Sequence, residues 1–84
     1  MTYTRRNHGT CSMQTEVELN PDHTIVSVNV LGGCNGNLKG IGQLLVGMKA
    51  EDAIARMKGT LCGHKATSCP DQIALALEEA LTKL

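Results

Sequence analysis

Tryptophan and phenylalanine are absent from this sequence, and Tyr3 is its only aromatic residue. A core without large rings must be filled by aliphatic side chains, Ala and Met, and a flat cofactor ring would find little to stack on. Charge of one sign is also lacking: eight basic and eight acidic side chains give a formal net charge of zero. That balance removes the broad basic field that nucleic-acid or acidic-membrane binding relies on. No apolar run reaches membrane-spanning length, and the opening MTYTRRNHGT carries no apolar signal core. Arg5 and Arg6 within it read as a solvated basic arm. A cytoplasmic, reducing location is the default expectation, and there permanent disulfides are disfavoured.

What is present in excess is cysteine, four in 84 residues. A chain of this size buries only about 60% of its unfolded surface, so its core is thin and a staple is expected. A metal, a disulfide or a partner subunit would each serve, and a homodimer is one such expectation.

The residue pattern predicts one small α+β domain over 1–84, an antiparallel β-hairpin followed by three helices (ββααα). CSMQTEVELN alternates, with Met13, Thr15, Val17 and Leu19 on one side and Gln14, Glu16 and Glu18 on the other. PDHT supplies turn chemistry, with His23 a surface residue, and TIVSVNVL returns with Val26, Val28 and Val30 on one face. Asn35 or Asn37 can cap a helix that buries Leu38, Ile41, Leu44, Leu45 and Met48 and stops at Gly47. Gly40 and Gly42 inside it predict a close approach of helix or backbone.

AEDAIARMKG is a second short helix, with Glu51 and Asp52 at its positive end and Asp52 and Arg56 spaced as an i,i+4 pair. Ala50, Ala53, Ile54 and Met57 form its inward stripe, and Gly59 ends it. CPDQIALALEEALTKL is the best helix: Pro70 suits the first helical position, which makes Cys69 the N-cap and sets Gln72 to complete a capping box. Ile73, Ala76, Leu77, Ala80, Leu81 and Leu84 recur at helical spacing, a face suited to crossing the hairpin or to a dimer seam.

The cysteine spacing is C-x22-C-x27-C-x6-C, without the C-x-x-C knuckle that would signal zinc by itself. Topology adds to it. With Asp22 and His23 at the centre of the turn, Cys11 and Cys34 fall opposite one another at the hairpin mouth. Paired strand residues lie roughly 4.5–5.5 Å apart at Cα, close enough to share a metal or a disulfide. Cys62 and Cys69 make a second local pair. Cys69 at a helix start would feel the dipole and free N–H groups that favour a thiolate. Cys34 stands before another helix start, among Gly32, Gly33 and Gly36, whose backbone N–H groups could face an anion.

Free cysteines are also common core filler, so packing, metal ligation and thiol chemistry all stay open. His8 and His64 stand near cysteines but read as solvated or hydrogen-bonded side chains. Lys65 beside Cys62 could stabilise a thiolate or an anion.

GTCS at 9–12, GGCNGNLKGI at 32–41 and CGHKATSCPDQ at 62–72 together resemble the TSCPD domain, whose name is spelled by Thr67 to Asp71. The likeness spans nearly the whole chain. The family occurs as small stand-alone proteins and as a C-terminal piece of cobalamin-dependent ribonucleotide reductases. The resemblance implies four family cysteines, Cys11, Cys34, Cys62 and Cys69, as the metal or redox set. It also implies a Gly-rich motif of Gly32, Gly33, Asn35, Gly36 and Asn37, which with Lys65 and Ser68 forms the candidate cofactor-binding set.

The large barrel that holds nucleotide, thiyl radical and cobalamin is missing, so a complete reductase is not expected and no catalysis is assigned. In such reductases a mobile C-terminal thiol pair delivers reducing equivalents. The resemblance therefore implies a metal-binding module (zinc or an iron–sulfur cluster) or a thiol-redox accessory of deoxynucleotide synthesis, with a ribonucleotide reductase as partner. A nucleotide or flavin held by the Gly-rich loop is the alternative, and a purely structural domain with buried free cysteines another.

Overall fold

The turn chemistry of PDHT fixes the centre of the fold. In the computed structural model, which describes residues 1–84 other than Cys34, Cys62, His64 and the side chain of Asn35, Asp22 Oδ1 accepts from the Thr24 N–H and hydroxyl at 3.1 and 2.6 Å. His23 adopts a positive φ of 75°, which lets the chain reverse. The strands it joins are β2 (Ser12–Leu19) and β3 (Ile25–Gly32), and Thr15 faces Val30 while Val17 faces Val28, the register a turn centred on Asp22 and His23 requires.

Irregularities at both ends alter which side chains point inward. A register shift between Ser12 and Gln14 buries Ser12 and turns Met13 out to 59% exposure, against the simple alternation expected for Met13. A second shift between Glu18 and Leu19 pairs Leu19 with Ile25, so Ile25 is buried and Val26 exposed. Period-two reasoning cannot see a bulge, because one inserted residue reverses every later face.

The basic arm is a strand. Thr2–Arg6 forms β1 and pairs antiparallel with β2, so the sheet has three strands in the order β1-β2-β3 rather than two. Arg5 and Arg6 read as a solvated arm in the sequence because the alternation of TYTRR is carried by Tyr3 and Arg5, whose inward halves lie against the last helix rather than against aliphatic residues; Arg6 is indeed exposed. Tyr3 and Arg5 are half-buried, and both reach Glu79.

Three helices follow: α1 (Asn35–Leu45), α2 (Ala50–Met57) and α3 (Cys69–Leu81). α1 buries Leu38 and Leu45 and half-buries Ile41, but Leu44 is 79% exposed, contrary to its expected inward position. Gly47 ends this stretch with φ 88° and Gly59 follows α2 with φ 86°, the left-handed stops predicted for both. Asp52 and Arg56 form no ion pair with one another; Lys58 instead pairs with Glu78 of α3 at 2.9 Å.

The core answers the lack of aromatics by close approach. Val17, Leu19, Ile25 and Val28 from the sheet meet Ile73, Ala76, Leu77 and Ala80 of α3, while Ala50 and Ala53 of α2 lie fully buried in the same cluster. Alanine faces let α2 and α3 approach without voids, so small side chains fill a narrow core where rings would be needed to fill a wider one.

Candidate thiol site

α3 begins one residue earlier than its proline suggests. Ser68, not Cys69, is the N-cap: its Oγ accepts from the Asp71 N–H at 3.2 Å, and its hydroxyl donates to the Thr60 carbonyl at 2.6 Å. Cys69 is thus the first helical residue and Pro70 the second. Serine is the stronger cap because a hydroxyl accepts an N–H well and a thiol weakly. Both hydrogen-bonding functions of Ser68 are engaged in this cap.

Gln72 does not complete a capping box either. It is 4% exposed, and its Oε1 accepts from Arg5 Nη1 at 2.5 Å and from the His8 N–H at 3.1 Å, while Nε2 donates to Thr67 Oγ1 at 2.9 Å. The Thr67 hydroxyl in turn donates to the Asp71 carboxylate, which also accepts the Gly59 N–H at 2.7 Å. The segment Thr67–Gln72 is therefore a junction that ties together the end of α2, the start of α3 and the loop after β1.

Cys69 is half-buried at this junction, with its Sγ 3.1 Å from Ser12 Oγ. Ser12 is buried and belongs to a chain of polar groups. Thr15 donates to Asn7 Oδ1 at 2.9 Å, Asn7 Nδ2 donates to Ser12 Oγ at 2.8 Å, and Thr10 Oγ1 lies 2.9 Å from the same oxygen. Asn7 already satisfies one lone pair of the Ser12 oxygen, so the Ser12 proton is free to point at the sulfur. With a thiol, S–H can donate to Ser12 Oγ while Ser12 donates to Thr10; with a thiolate, Thr10 donates to Ser12 and Ser12 to the sulfur. Two hydroxyl rotations serve both states without moving a heavy atom.

Three of the motif segments are in contact here. A Cβ on Gly9 would lie 3.0 Å from the Thr67 methyl, and one on Gly33 would lie 3.1 Å from Ser12 Cβ. Gly32 and Gly33 both have positive φ, 81° and 75°, so glycine is needed there for conformation as well as space. Cys11 is exposed beside Ser12. Cys34, which follows Gly33, and Cys62, two residues past Thr60, lie outside the described residues, as does His64, and the expected Cys11–Cys34 and Cys62–Cys69 pairs lie there with them. Gly36, Asn37 and Lys65 are exposed, and Asn35 opens α1. Among the described residues no group of three metal-ligating side chains is assembled. A groove of about 650 Å³ between α1 and β3 includes Gly36, Lys39 and Gln43 in its lining, but neither Cys11 nor Cys69.

The charged groups around the junction are held ionised by their donors. The Thr67 hydroxyl and then the Gly59 N–H hold the Asp71 carboxyl below its ordinary range. Tyr3 and Arg5 do the same for Glu79, and that bond raises the Tyr3 phenol.

These three segments are the ones that carry the family signature, and a family model for the TSCPD domain matches residues 1–81. The chain belongs to the TSCPD domain family. Among curated proteins and among solved structures, none matches it. The signature of this TSCPD domain has a structural reading residue by residue. Thr67 joins Asp71 to Gln72, Ser68 caps the helix, Cys69 meets Ser12, and Asp71 holds the end of α2. Asn7 and Arg5 are site components that the motifs do not mark, and Ser12 is marked only as the last residue of GTCS.

Proposed function

We propose that this TSCPD domain is a cysteine-site module that holds a soft metal, zinc or an iron–sulfur cluster, through Cys11, Cys34, Cys62 and Cys69. The observation that carries the reading is the junction of the 9–12, 32–33 and 67–69 segments around Cys69. Its sulfur meets a buried hydroxyl able to donate to it. Four thiolates suit tetrahedral zinc or an iron–sulfur cluster equally. A hydroxyl donating to a ligand sulfur is the kind of supporting contact that orients such a site. Metal analysis and an ultraviolet–visible spectrum of protein purified without oxygen test the proposal together. About one zinc or one cluster per chain is expected; a featureless spectrum with metal far below one per chain overturns it.

A second reading, a thiol-redox accessory to ribonucleotide reduction, is favoured by the exposure of Cys11 and the half-exposure of Cys69 at a helix start. It predicts that Cys69 alkylates faster at low pH than a cysteine in an unstructured peptide. Matching rates across the pH range would remove this reading.

A further inference from the structure

The two edges of the sheet are treated differently. On β3, the Gly47 N–H donates to Ile25 O and the Ile25 N–H to Met48 O, each at 2.8 Å, and the Ala50 N–H donates to His23 O at 2.8 Å. Farther along, α1 lies so close that a Cβ on Gly42 would stand 2.7 Å from Val28 O. The chain itself thus covers that edge at His23, Ile25 and Val28. On β1, Met1 and Leu19 exchange both backbone bonds at 2.9 Å, which points Met1, Tyr3 and Arg5 toward β2 and the backbone groups of Thr2, Thr4 and Arg6 outward. Among the described residues, only the Arg6 carbonyl of this outward row has a partner, Arg5 Nη1 at 3.3 Å. A bare edge of this kind is a template for another strand.

We infer that the occupant is a second copy of this chain, with β1 pairing antiparallel to its twin about Thr4, so that two three-stranded sheets become one of six. The strand is complementary to itself in that register. Thr2 of one copy faces Arg6 of the other, Thr4 faces Thr4, and Tyr3 faces Arg5. On the exposed face, Thr2 sits beside Glu18 within its own sheet, and both are solvent-exposed. Threonine is short, so the Arg6 of the second copy reaches over Thr2 toward Glu18, and symmetry supplies the same opposite-charge pair twice. On the inner face each Arg5, already fixed by Glu79 at 2.6 Å, meets the ring of the other copy's Tyr3, itself anchored to Glu79 at 2.6 Å. The only aromatic side chain of the sequence, which already shares Glu79 with its own Arg5, thereby gains a second cationic neighbour.

Molecular mass in solution, followed over a wide concentration range in reducing buffer, tests this pairing. The native chain is expected to form a dimer. Arg6→Glu is expected to weaken the dimer by about tenfold, and Arg6→Glu with Glu18→Arg to restore most of the loss. Thr4→Pro removes only an outward N–H, so it is expected to leave the monomer folded and abolish the dimer. Amide exchange at Thr2 and Thr4 should slow as protein concentration rises. A monomer at every concentration overturns the inference. So does a dimer that is indifferent to Thr4→Pro and to the charge exchange, or one in which the Thr2 and Thr4 amides stay unprotected.

Discussion

Ser12 Oγ and Cys69 Sγ lie 3.1 Å apart although 57 positions separate them in the chain. The contact joins the first residue of β2 to the first residue of α3. It places the one signature cysteine among the described residues that is not fully exposed against a hydroxyl whose other partners are already fixed. The relationship is chemical as well as structural, because the hydroxyl can accept from a thiol or donate to a thiolate.

Ser12→Ala tests that relationship directly. The buried Asn7 Nδ2 loses its acceptor, so a stability cost of about 1–3 kcal/mol is expected by urea denaturation. The informative readout is alkylation of Cys69 against pH. The variant should react at a different rate from the native protein, because the sulfur loses its hydroxyl partner, and Ser12→Thr should recover the native profile. Identical profiles for the native protein and the Ser12→Ala variant would mean that the hydroxyl serves Asn7 alone.

Gln72 is the other polar centre of the junction, and its amide carries three bonds at 2.5, 3.1 and 2.9 Å. Gln72→Leu keeps the volume and removes all three, leaving the His8 N–H and one Arg5 N–H to find other acceptors, while the Thr67 hydroxyl keeps its bond to Asp71 and loses only a donor. A loss of about 2–4 kcal/mol is expected in denaturant unfolding, with faster amide exchange at His8. Gln72→Glu keeps the acceptor toward Arg5 and His8 and should lose less.

Much of this architecture is legible in the residue pattern, and the exceptions share a cause. The central hairpin register, the glycine stops at Gly47 and Gly59 and the stripe of α3 from Ile73 to Ala80 follow from turn chemistry and period, which are local properties, whereas Leu84, expected on that stripe, lies exposed beyond the helix. Strand β1 is not legible, because the inward side of TYTRR is held by bonds from Tyr3 and Arg5 to Glu79, more than 70 positions away. Met13 and Leu44 depart from their expected faces because a bulge turns Met13 outward and the face of α1 that lies on β3, through Leu38, Gly42 and Leu45, leaves Leu44 outside it. At the site, the motif marks Cys69 and its neighbours. The buried amides of Asn7 and Gln72 are invisible to pattern, since a polar residue is read as exposed until its partners are known.

Acid should weaken the fold through the same junction. The folded-state carboxyls of Asp71 and Glu79 lie below their ordinary values of 3.8 and 4.5. Unfolding at low pH therefore takes up protons, and the stabilisation, complete above the unfolded values, is lost as pH falls through the folded ones. Urea midpoints should hold nearly level from about pH 7 to pH 5 and decline below about pH 4. Asp71→Asn and Glu79→Gln should each lower the neutral-pH midpoint and shrink the acid decline. A decline of unchanged size in both variants would place the acid sensitivity elsewhere, with Asp22 and Glu51 the next carboxyls held low by their partners.

Two glycines two positions apart in α1 should respond oppositely to the same substitution. Alanine is favoured over glycine in a helix interior by about 1 kcal/mol, and that gain applies to both sites. At Gly40 an added Cβ meets nothing within 4 Å, so Gly40→Ala should stabilise the protein by about 0.5–1 kcal/mol. At Gly42 the same atom would stand 2.7 Å from the Val28 carbonyl oxygen, a backbone atom held in the sheet that cannot rotate away. Relief requires α1 to lift from β3, which would open the packing of Leu38 and Leu45, both 6% exposed. Gly42→Ala should therefore be net destabilising, by about 1–3 kcal/mol, since overpacking of this kind exceeds the propensity gain. Thermal unfolding of the two variants beside the native protein decides the matter. Equal and stabilising shifts would show that α1 does not press against the β3 backbone, and the coverage of that sheet edge would then need another source.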